Sequence, residues 1–291
     1  MDSSQLINNL KMRGSFPASD DLFSTSDFLL LLNNQLQTDM TPLMLSLNEE
    51  YFLQTKDYSI STTGATYRFP RRAVGSKARD LKVVDSGGNY YSLDRLFEED
   101  RPSNKSGYYM KRNGVELTPD FNSGTLRLVY FSRPNELVAT TACAQITSID
   151  TGNNQVDVSS VPSTMTDGVL CDFVQGSNPY DLLDYDRDIS SIAGNTITFT
   201  SLPDGLEVGD WIALATQSPV PMLPEELHPV LVQSALCAAL SSKKDKVYDQ
   251  EMVRLQEMKD AAIKMLDPRV ENDSIKFRSG ALLGFLGSRR W

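Results

Sequence analysis

Residues 24–47 form the stretch STSDFLLLLNNQLQTDMTPLMLSL, in which apolar side chains recur every three or four positions. That spacing is typical of a helix with one apolar face, because a helical turn takes 3.6 residues. The side chains of Ser24 and Asp27 can cap the free N–H groups at its start. Pro42 removes one backbone hydrogen bond, so we expect a kink or two abutting helices. The apolar stripe consists of Phe28, Leu32, Leu36, Met40, Leu43 and Leu47.

A second helical zone lies near the other end of the chain, beyond a proline-rich lead-in at 219–224. Its first helix begins at either Pro224 or Pro229, and the sequence leaves both starts open. A further apolar stripe covers 248–265 and ends before Pro268. Because helical zones flank a β-rich middle, we expect the two ends of the chain to pack together as one bundle.

Residues 57–217, between the helical zones, carry strand and turn patterns throughout. The turn signal Asn113-Gly114 predicts a hairpin between 108–112 and 115–118. Further along, 146–149 is similar to 189–192, 156–162 to 197–203, and 168–174 to 209–215. Such a repeat predicts two units that pair into a small pseudo-symmetric barrel, and coincidence between two similar hairpins is the alternative.

The predicted fold class is therefore α+β, with a helical bundle of N- and C-terminal helices and a large inserted β region. We expect that region to be a sheet or sandwich plus a small barrel-like module. The predicted divisions are N-terminal helices at 1–56, a first β module at 57–140, a second at 141–217, C-terminal helices at 218–268 and an extended tail at 269–291.

The tail carries five basic residues against two acidic ones, a balance of +3, and the rest of the chain accounts for −13 of the total of −10. It has large apolar side chains but no helical stripe, as expected of a segment that folds on a partner. The alternative is that this C-terminal segment docks on no partner. The predicted docking residues are Ile275, Phe277, Arg278, Leu282, Leu283, Phe285, Leu286, Arg289, Arg290 and Trp291.

Charge and composition exclude several classes of function. The net charge of −10 over 291 residues argues against sequence-specific binding of duplex DNA, because acidic surfaces repel phosphates. Apolar runs such as 28–32 are too short to cross a bilayer, and no secretory signal is expected. Cys143, Cys171 and Cys237 are an odd, widely spaced set, and we expect them to be buried thiols.

We expect no catalytic, cofactor or metal site. His228 is the only histidine, and its place at a helix entrance favours a packing or capping role over that of a base. The acidic stretch 181–188 has ligands suited to Ca²⁺ but lacks the turn glycine and terminal glutamate of a calcium loop, so a solvated loop is favoured. The internal basic cluster is Arg68, Arg71, Arg72, Lys77 and Arg79, which faces an acidic neighbour, nucleic acid or solvent.

Several segments together carry a resemblance to a known family. They are STSDFLLLLN at 24–33, PLMLSLNEEYF at 42–52, YRFPRRAVG at 67–75, GTLRL at 124–128, RPN at 133–135 and PVPMLPEELHP at 219–229. With these segments the chain resembles, over nearly its whole length, the head-to-tail adaptor proteins of tailed bacteriophages. The resemblance implies a dodecameric ring below the portal, with the tail gripping the portal. It carries over no active-site residues, and many adaptors of this broad class are much smaller helical proteins.

The function expected from the resemblance is that of a non-enzymatic virion protein in the neck, between capsid portal and tail, made in the host cytoplasm. Its expected partners are copies of itself, the portal, and tail or nozzle proteins or fibres. DNA is expected to pass without sequence-specific binding, and neither a membrane nor a cofactor is expected. One alternative is a tail or fibre-attachment protein whose β modules bind a fibre or a surface sugar. Another is a hydrolase whose site is hidden among ordinary acids.

Overall fold

The computed structural model describes residues 1–16, 23–60, 65–85, 87–99, 105–118, 120–121 and 123–266. Its fold class is α+β, as predicted, with helices near both ends and many strands between them, including a closed six-stranded barrel. The tail at 269–291, with all ten predicted docking residues, lies outside the described residues.

Five α-helices occupy the two outer zones. They are α1 (Ser3–Arg13), α2 (Thr25–Gln35), α3 (Thr41–Leu47), α4 (His228–Lys243) and α5 (Tyr248–Leu266) among the described residues. The interruption predicted at Pro42 takes the form of a π-helical turn, Leu36–Met40, between α2 and α3. Thr41 closes that turn, since its hydroxyl donates to the carbonyl of Leu36 at 2.6 Å. The chain enters α4 through a 3₁₀ turn at Glu225–Leu227, so α4 begins between the two starts that the sequence left open.

Apolar side chains from both ends of the chain form one hydrophobic cluster. At its centre lies α4, where Leu231, Ala235 and Leu236 are buried, and α1, α2 and α5 all contact it. A capping box starts α2, because Ser24 accepts from the Asp27 N–H while Asp27 accepts from the Ser24 N–H. Each fully buried side chain of leucine size contributes roughly 1.5–3 kcal/mol, so this cluster is a main source of stability.

The first β module consists of two four-stranded sheets, with strand orders β1-β8-β3-β4 and β2-β7-β6-β5. The two sheets share one core, in which Tyr67 and Leu117 of the second sheet accompany Leu126 and Leu128 of the first. The strands are β1 (Leu53–Ser59), β2 (Thr66–Arg68), β3 (Ala73–Val84), β4 (Tyr90–Ser92), β5 (Arg95–Leu96), β6 (Tyr108–Lys111), β7 (Gly114–Leu117) and β8 (Thr125–Ser132).

The predicted hairpin joins β6 to β7, with a turn at 112–113, one residue earlier than the sequence suggested. Gly114 therefore begins β7 rather than lying in the turn. A Cβ atom at this position would lie 2.3 Å from the carbonyl oxygen of Tyr67 on β2. Only glycine allows β2 to approach so closely.

The second β module is the barrel, with strand order β10-β11-β14-β13-β12-β15 and antiparallel pairing throughout. The strand order has two-fold symmetry. Exchanging β10 with β13, β11 with β14 and β12 with β15 leaves the set of neighbouring strand pairs the same. Val156 pairs with Ile197, and Asp172 with Ala213. Phe173 and Phe199 pack inside, with ring centroids 4.8 Å apart. The strands are β10 (Ala144–Asp150), β11 (Gln155–Val158), β12 (Leu170–Val174), β13 (Leu182–Ala193), β14 (Thr196–Phe199) and β15 (Trp211–Leu214).

A short parallel ladder connects the helices to both β modules. It pairs β9 (Glu136–Leu137), which follows the first module, with β16 (Gln217–Ser218), which follows the barrel. The buried side-chain amide of Asn33 on α2 donates to the Leu137 carbonyl at 2.9 Å and accepts from the Leu137 N–H at 2.7 Å. No helix in the described parts of the chain has both the length and the hydropathy needed to span a membrane.

Candidate functional site

A buried ion pair lies where the first β module meets the barrel. Arg72 directly precedes β3, and its Nη2 donates to Asp172 Oδ1 of β12 at 2.8 Å, with both side chains almost fully excluded from solvent. Because isolated buried charges are expensive, such a pair persists only when further hydrogen bonds satisfy its remaining donors and acceptors.

Neighbouring groups supply most of those further bonds, although the buried Nε of Arg72 has no partner among the described residues. Asp172 also accepts from the side-chain amide of Asn135 at 2.8 Å and from the backbone N–H groups of Thr216 and Asp186. Arg72 donates a second time to Asp186 at 3.0 Å and lies over the ring of Tyr185, 4.9 Å from its centroid. Burial lowers the pKa of Arg72, but Asp172 and Asp186 outweigh it and the pKa is raised overall. Arg72 is therefore a permanent cation that joins the two modules.

The structure divides the basic cluster that the sequence predicted. Arg72 is buried in the ion pair, and Arg79 is held by Glu50 at 3.1 Å. Arg68 and Arg71 are exposed. The side chain of Lys77 lies outside the described residues. Arg72 and Arg79 therefore face acidic neighbours, which is one of the alternatives that the sequence left open, whereas Arg68 and Arg71 face solvent.

Arg68 and Arg71 line a groove together with Arg133, a third exposed arginine that was not part of the predicted cluster. A cavity of about 600 Å³ contains Arg71 and Arg133 in its wall, and an adjoining cavity of about 320 Å³ contains them together with Arg68. We call this surface the arginine groove and define it by Arg68, Arg71 and Arg133. Among the described residues, none of the three guanidinium groups has an ion-pair or hydrogen-bond partner.

The acidic stretch 181–188 is not a loop, which corrects the sequence-based expectation. Most of it belongs to β13, whose pairing with β12 closes one side of the barrel. Its carboxylates serve internal contacts, as Asp184 accepts from Arg187 and Asp186 from Arg72. In the parts of the chain that are described, no group of three or more His, Cys, Asp or Glu side chains could hold a metal ion.

His228 is buried at the start of α4, where it packs as the sequence predicted. Its Nδ1 lies 2.9 Å from the amino group of Met1 and its Nε2 lies 3.1 Å from the Leu223 carbonyl, while its ring packs against Tyr180. Burial, followed by the nearby positive amino group, lowers the pKa of His228 to about 4. The ring is therefore neutral at pH 7.

The three cysteines are buried free thiols, as expected. Burial raises the pKa of Cys143 to about 12, and burial likewise raises the pKa values of Cys171 and Cys237. A thiol with a raised pKa holds little thiolate at neutral pH and is a poor nucleophile. These residues therefore act as small apolar side chains in the cores.

Sequence reasoning missed Asp172, Asn135 and Arg133. A signal for Asp172 was present, because it interrupts the apolar strand LCDFV at a position where the similar segment of the second half has Ala213. Arg133 belongs to the segment RPN that contributes to the family resemblance, but nothing in that segment predicts a groove. The place of Arg133 in the groove depends on a backbone bond from its N–H to the Arg72 carbonyl, at 2.7 Å.

Comparison with known proteins adds no assignment. No protein-family model matches the chain, and no curated protein matches it. The function is therefore argued from the residues, the fold and the resemblance noted in the sequence.

Proposed function

We propose that the protein is a structural component of a bacteriophage virion: a head-to-tail adaptor that forms a ring under the portal, connects the capsid to the tail and lets DNA pass. The observation that carries the proposal is the shared helical core, in which α1 and α2 from one end of the chain pack on α4 and α5 from the other. Such a core is suited to building a ring, with the β modules carried on it and the tail following α5.

The outer surface of α5 supports contacts between copies. Leu255 and Ala262 face the core, whereas Val253 is 62% exposed and Met265 is 70% exposed. Single exposed apolar residues are common on protein surfaces, and in this proposal these two provide apolar area for a neighbouring copy. In a closed ring, each copy contacts two others through different faces, and α5 offers one such face.

The same proposal assigns roles along the chain. We propose a dodecameric ring in the neck of the virion, with 1–56 and 218–268 as its helical body. The tail at 269–291 then docks on the portal through its apolar and basic side chains. The β modules, at 57–140 and 141–217, reach tail or nozzle proteins and fibres. The net charge of −10 keeps passing DNA from adhering to the channel wall, and no catalysis is proposed.

Truncation after Pro268 tests the proposal. Electron microscopy of the purified full chain, alone and with portal-bearing heads, is expected to show rings seated on the portal. The truncated protein is expected to keep its fold, measured by circular dichroism, and to lose attachment to heads. A full chain that stays monomeric under both conditions contradicts the ring. A truncated protein that still joins heads contradicts docking through the tail.

A tail or fibre-attachment role is a second candidate, favoured by aromatic residues on the first β module. Tyr90 and Tyr91, on strand β4 at the edge of its sheet, are both exposed. Exposed aromatic rings offer flat apolar surfaces with polar tips, which suit a fibre or a sugar. If Y90A/Y91A abolishes fibre attachment while rings still seat on the portal, both roles belong to one protein.

A further inference from the structure

We infer that the arginine groove is a contact between subunits, in which the guanidinium groups of one copy receive surface carboxylates of a second copy. This inference rests on the proposed ring and names the charge chemistry of one of its interfaces. It concerns Arg68, Arg71 and Arg133, and it is independent of the tail.

The three arginines of the groove form no ion pair with any of the residues that the structure describes. In the described structure, none of its three guanidinium groups is paired, whereas Arg72 and Arg127 each have carboxylate partners at 2.8 Å and 2.7 Å. The guanidinium fork matches a carboxylate with two parallel hydrogen bonds. Arg71 and Arg133 line both adjoining cavities and are placed to share one acidic segment.

The backbone of the arginine groove is held in place before any partner binds. The N–H of Arg133 donates to the carbonyl of Arg72 at 2.7 Å, and the Arg72 side chain is anchored on Asp172. The backbone of Arg71 and that of Arg133 are thus attached to the same buried ion pair. The backbone therefore needs little further ordering on binding, and the entropy loss is confined to the arginine side chains.

The lining of the groove combines arginines with apolar residues, as the lining of a protein–protein interface does. Beside the arginines, Pro134 and Leu170 line the larger cavity, and Leu170 is 42% exposed although it is a large apolar residue. Arginine next to exposed apolar side chains is a combination enriched at protein–protein contacts.

Charge decides which occupant fits. The tail of the same chain carries +3 and would be repelled, whereas the rest of the chain carries −13 and presents an excess of carboxylates to its neighbours. A nucleic acid fits less well, because Glu136 and Asp186 interrupt the continuous basic track that a row of phosphates needs, whereas a protein segment can place single carboxylates at Arg71 and Arg133. A second copy of this acidic chain is therefore the occupant that we propose.

Charge reversal is the first test. R71E/R133E is expected to weaken ring formation by about a hundredfold or more, because like charges then meet at the interface. R95E is the matched control, since Arg95 lies on β5 and does not line the groove. Sedimentation and electron microscopy measure assembly, and circular dichroism checks that each variant folds.

Cross-linking identifies the occupant. R71K/R133K retains the charges and introduces amines that a carbodiimide joins to a carboxylate in contact with them. Unlabelled R71K/R133K is mixed with ¹⁵N-labelled wild-type protein and cross-linked, and the peptides are sequenced by mass spectrometry. The expected products join an unlabelled peptide, through the amine introduced at position 71 or 133, to a labelled acidic peptide. Links only within unlabelled chains, or no links in assembled protein, overturn the inference.

The outcomes separate this inference from the proposed function. If wild-type rings form and R71E/R133E forms them equally well, the groove is not the contact, while the ring stands. If wild-type protein forms no ring with or without portal-bearing heads, the proposed function fails and the inference fails with it. If a duplex oligonucleotide binds the wild type and R71E/R133E loses that binding but keeps its rings, the groove serves nucleic acid instead.

Discussion

Arg72 and Asp172 form a salt bridge of 2.8 Å across the boundary between the first β module and the barrel, and both side chains are excluded from water. The two residues lie 100 positions apart in the chain. A buried ion pair is weak support for net stability, but breaking one leaves a charge unpaired in a medium of low polarity. The pair therefore favours one arrangement of the two modules over others.

Asp172→Ala is expected to lower the free energy of unfolding by about 3–5 kcal/mol, as for the loss of one partner of a buried pair. The change removes the buried carboxylate from Arg72, which keeps only Asp186 and the Asn135 side chain among the described residues, and it leaves the N–H groups of Thr216 and Asp186 without their acceptor. Denaturant unfolding followed by circular dichroism measures the loss. Asp57→Ala is the control, because Asp57 pairs with Arg127 at a similar distance, 2.7 Å, but at an exposed site. Equal losses in the two variants would contradict a special role for burial.

Stability is expected to fall as the pH drops from about 6.5 to about 4, because of His228. In this interval an unfolded histidine binds a proton that the buried ring does not accept, so protons favour unfolding. The shift between the two pKa values corresponds to about 3 kcal/mol over the whole interval. Above pH 6.5 both states are neutral at this residue and the effect vanishes.

Comparison with His228→Gln isolates this contribution. Glutamine can accept from the Met1 amino group and donate to the Leu223 carbonyl, which are the two polar contacts of the ring. Between pH 7 and pH 4.5 the wild type should lose more unfolding free energy than His228→Gln, because the carboxylates are common to both proteins and only the histidine differs. Parallel pH profiles would show that His228 is not the titrating group.

All three thiols are expected to resist a thiol reagent such as dithionitrobenzoate at pH 8 while the protein is folded. Burial raises the pKa values of Cys143, Cys171 and Cys237, and the reagent attacks only an accessible thiolate. In denaturant all three should react at once, which gives an internal calibration. Rapid reaction of one thiol in the folded protein would place that cysteine at the surface.

Phe285→Ala combined with Trp291→Ala is expected to weaken docking on the portal by a few kcal/mol, as for aromatic side chains that fill pockets in a partner. The measurement is the concentration of protein needed to saturate portal-bearing heads. Ser288→Ala, in the same segment, is the control and should bind as the wild type does. Unchanged saturation in the double variant would assign docking to another part of the chain.

Local patterns predicted the elements that depend on neighbouring residues. The stripe from Phe28 to Leu47 predicted helices and Pro42 their interruption, because helical periodicity and the missing proline N–H act within a few residues. The π-helical form of the interruption did not follow from these patterns. In the β region the repeated segments predicted a small barrel, and the structure contains a closed barrel of six strands.

The candidate site was only partly predictable. The sequence singled out Arg68, Arg71 and Arg72. Their positions in the chain did not indicate that Arg72 is buried while Arg68 and Arg71 are exposed. Arg133 was absent from the predicted cluster, since its nearness to Arg71 depends on backbone pairing across more than 60 residues.

By itself the sequence determined the class of fold, the order of helical and β-rich zones, the acidic balance and the basic, apolar character of the tail, because all of these depend on composition and short-range periodicity. Only the tertiary structure decided which charges meet. It buried Arg72 against Asp172 and left Arg71 and Arg133 unpaired in a groove, because burial and pairing are set by strands that are distant in sequence and adjacent in space.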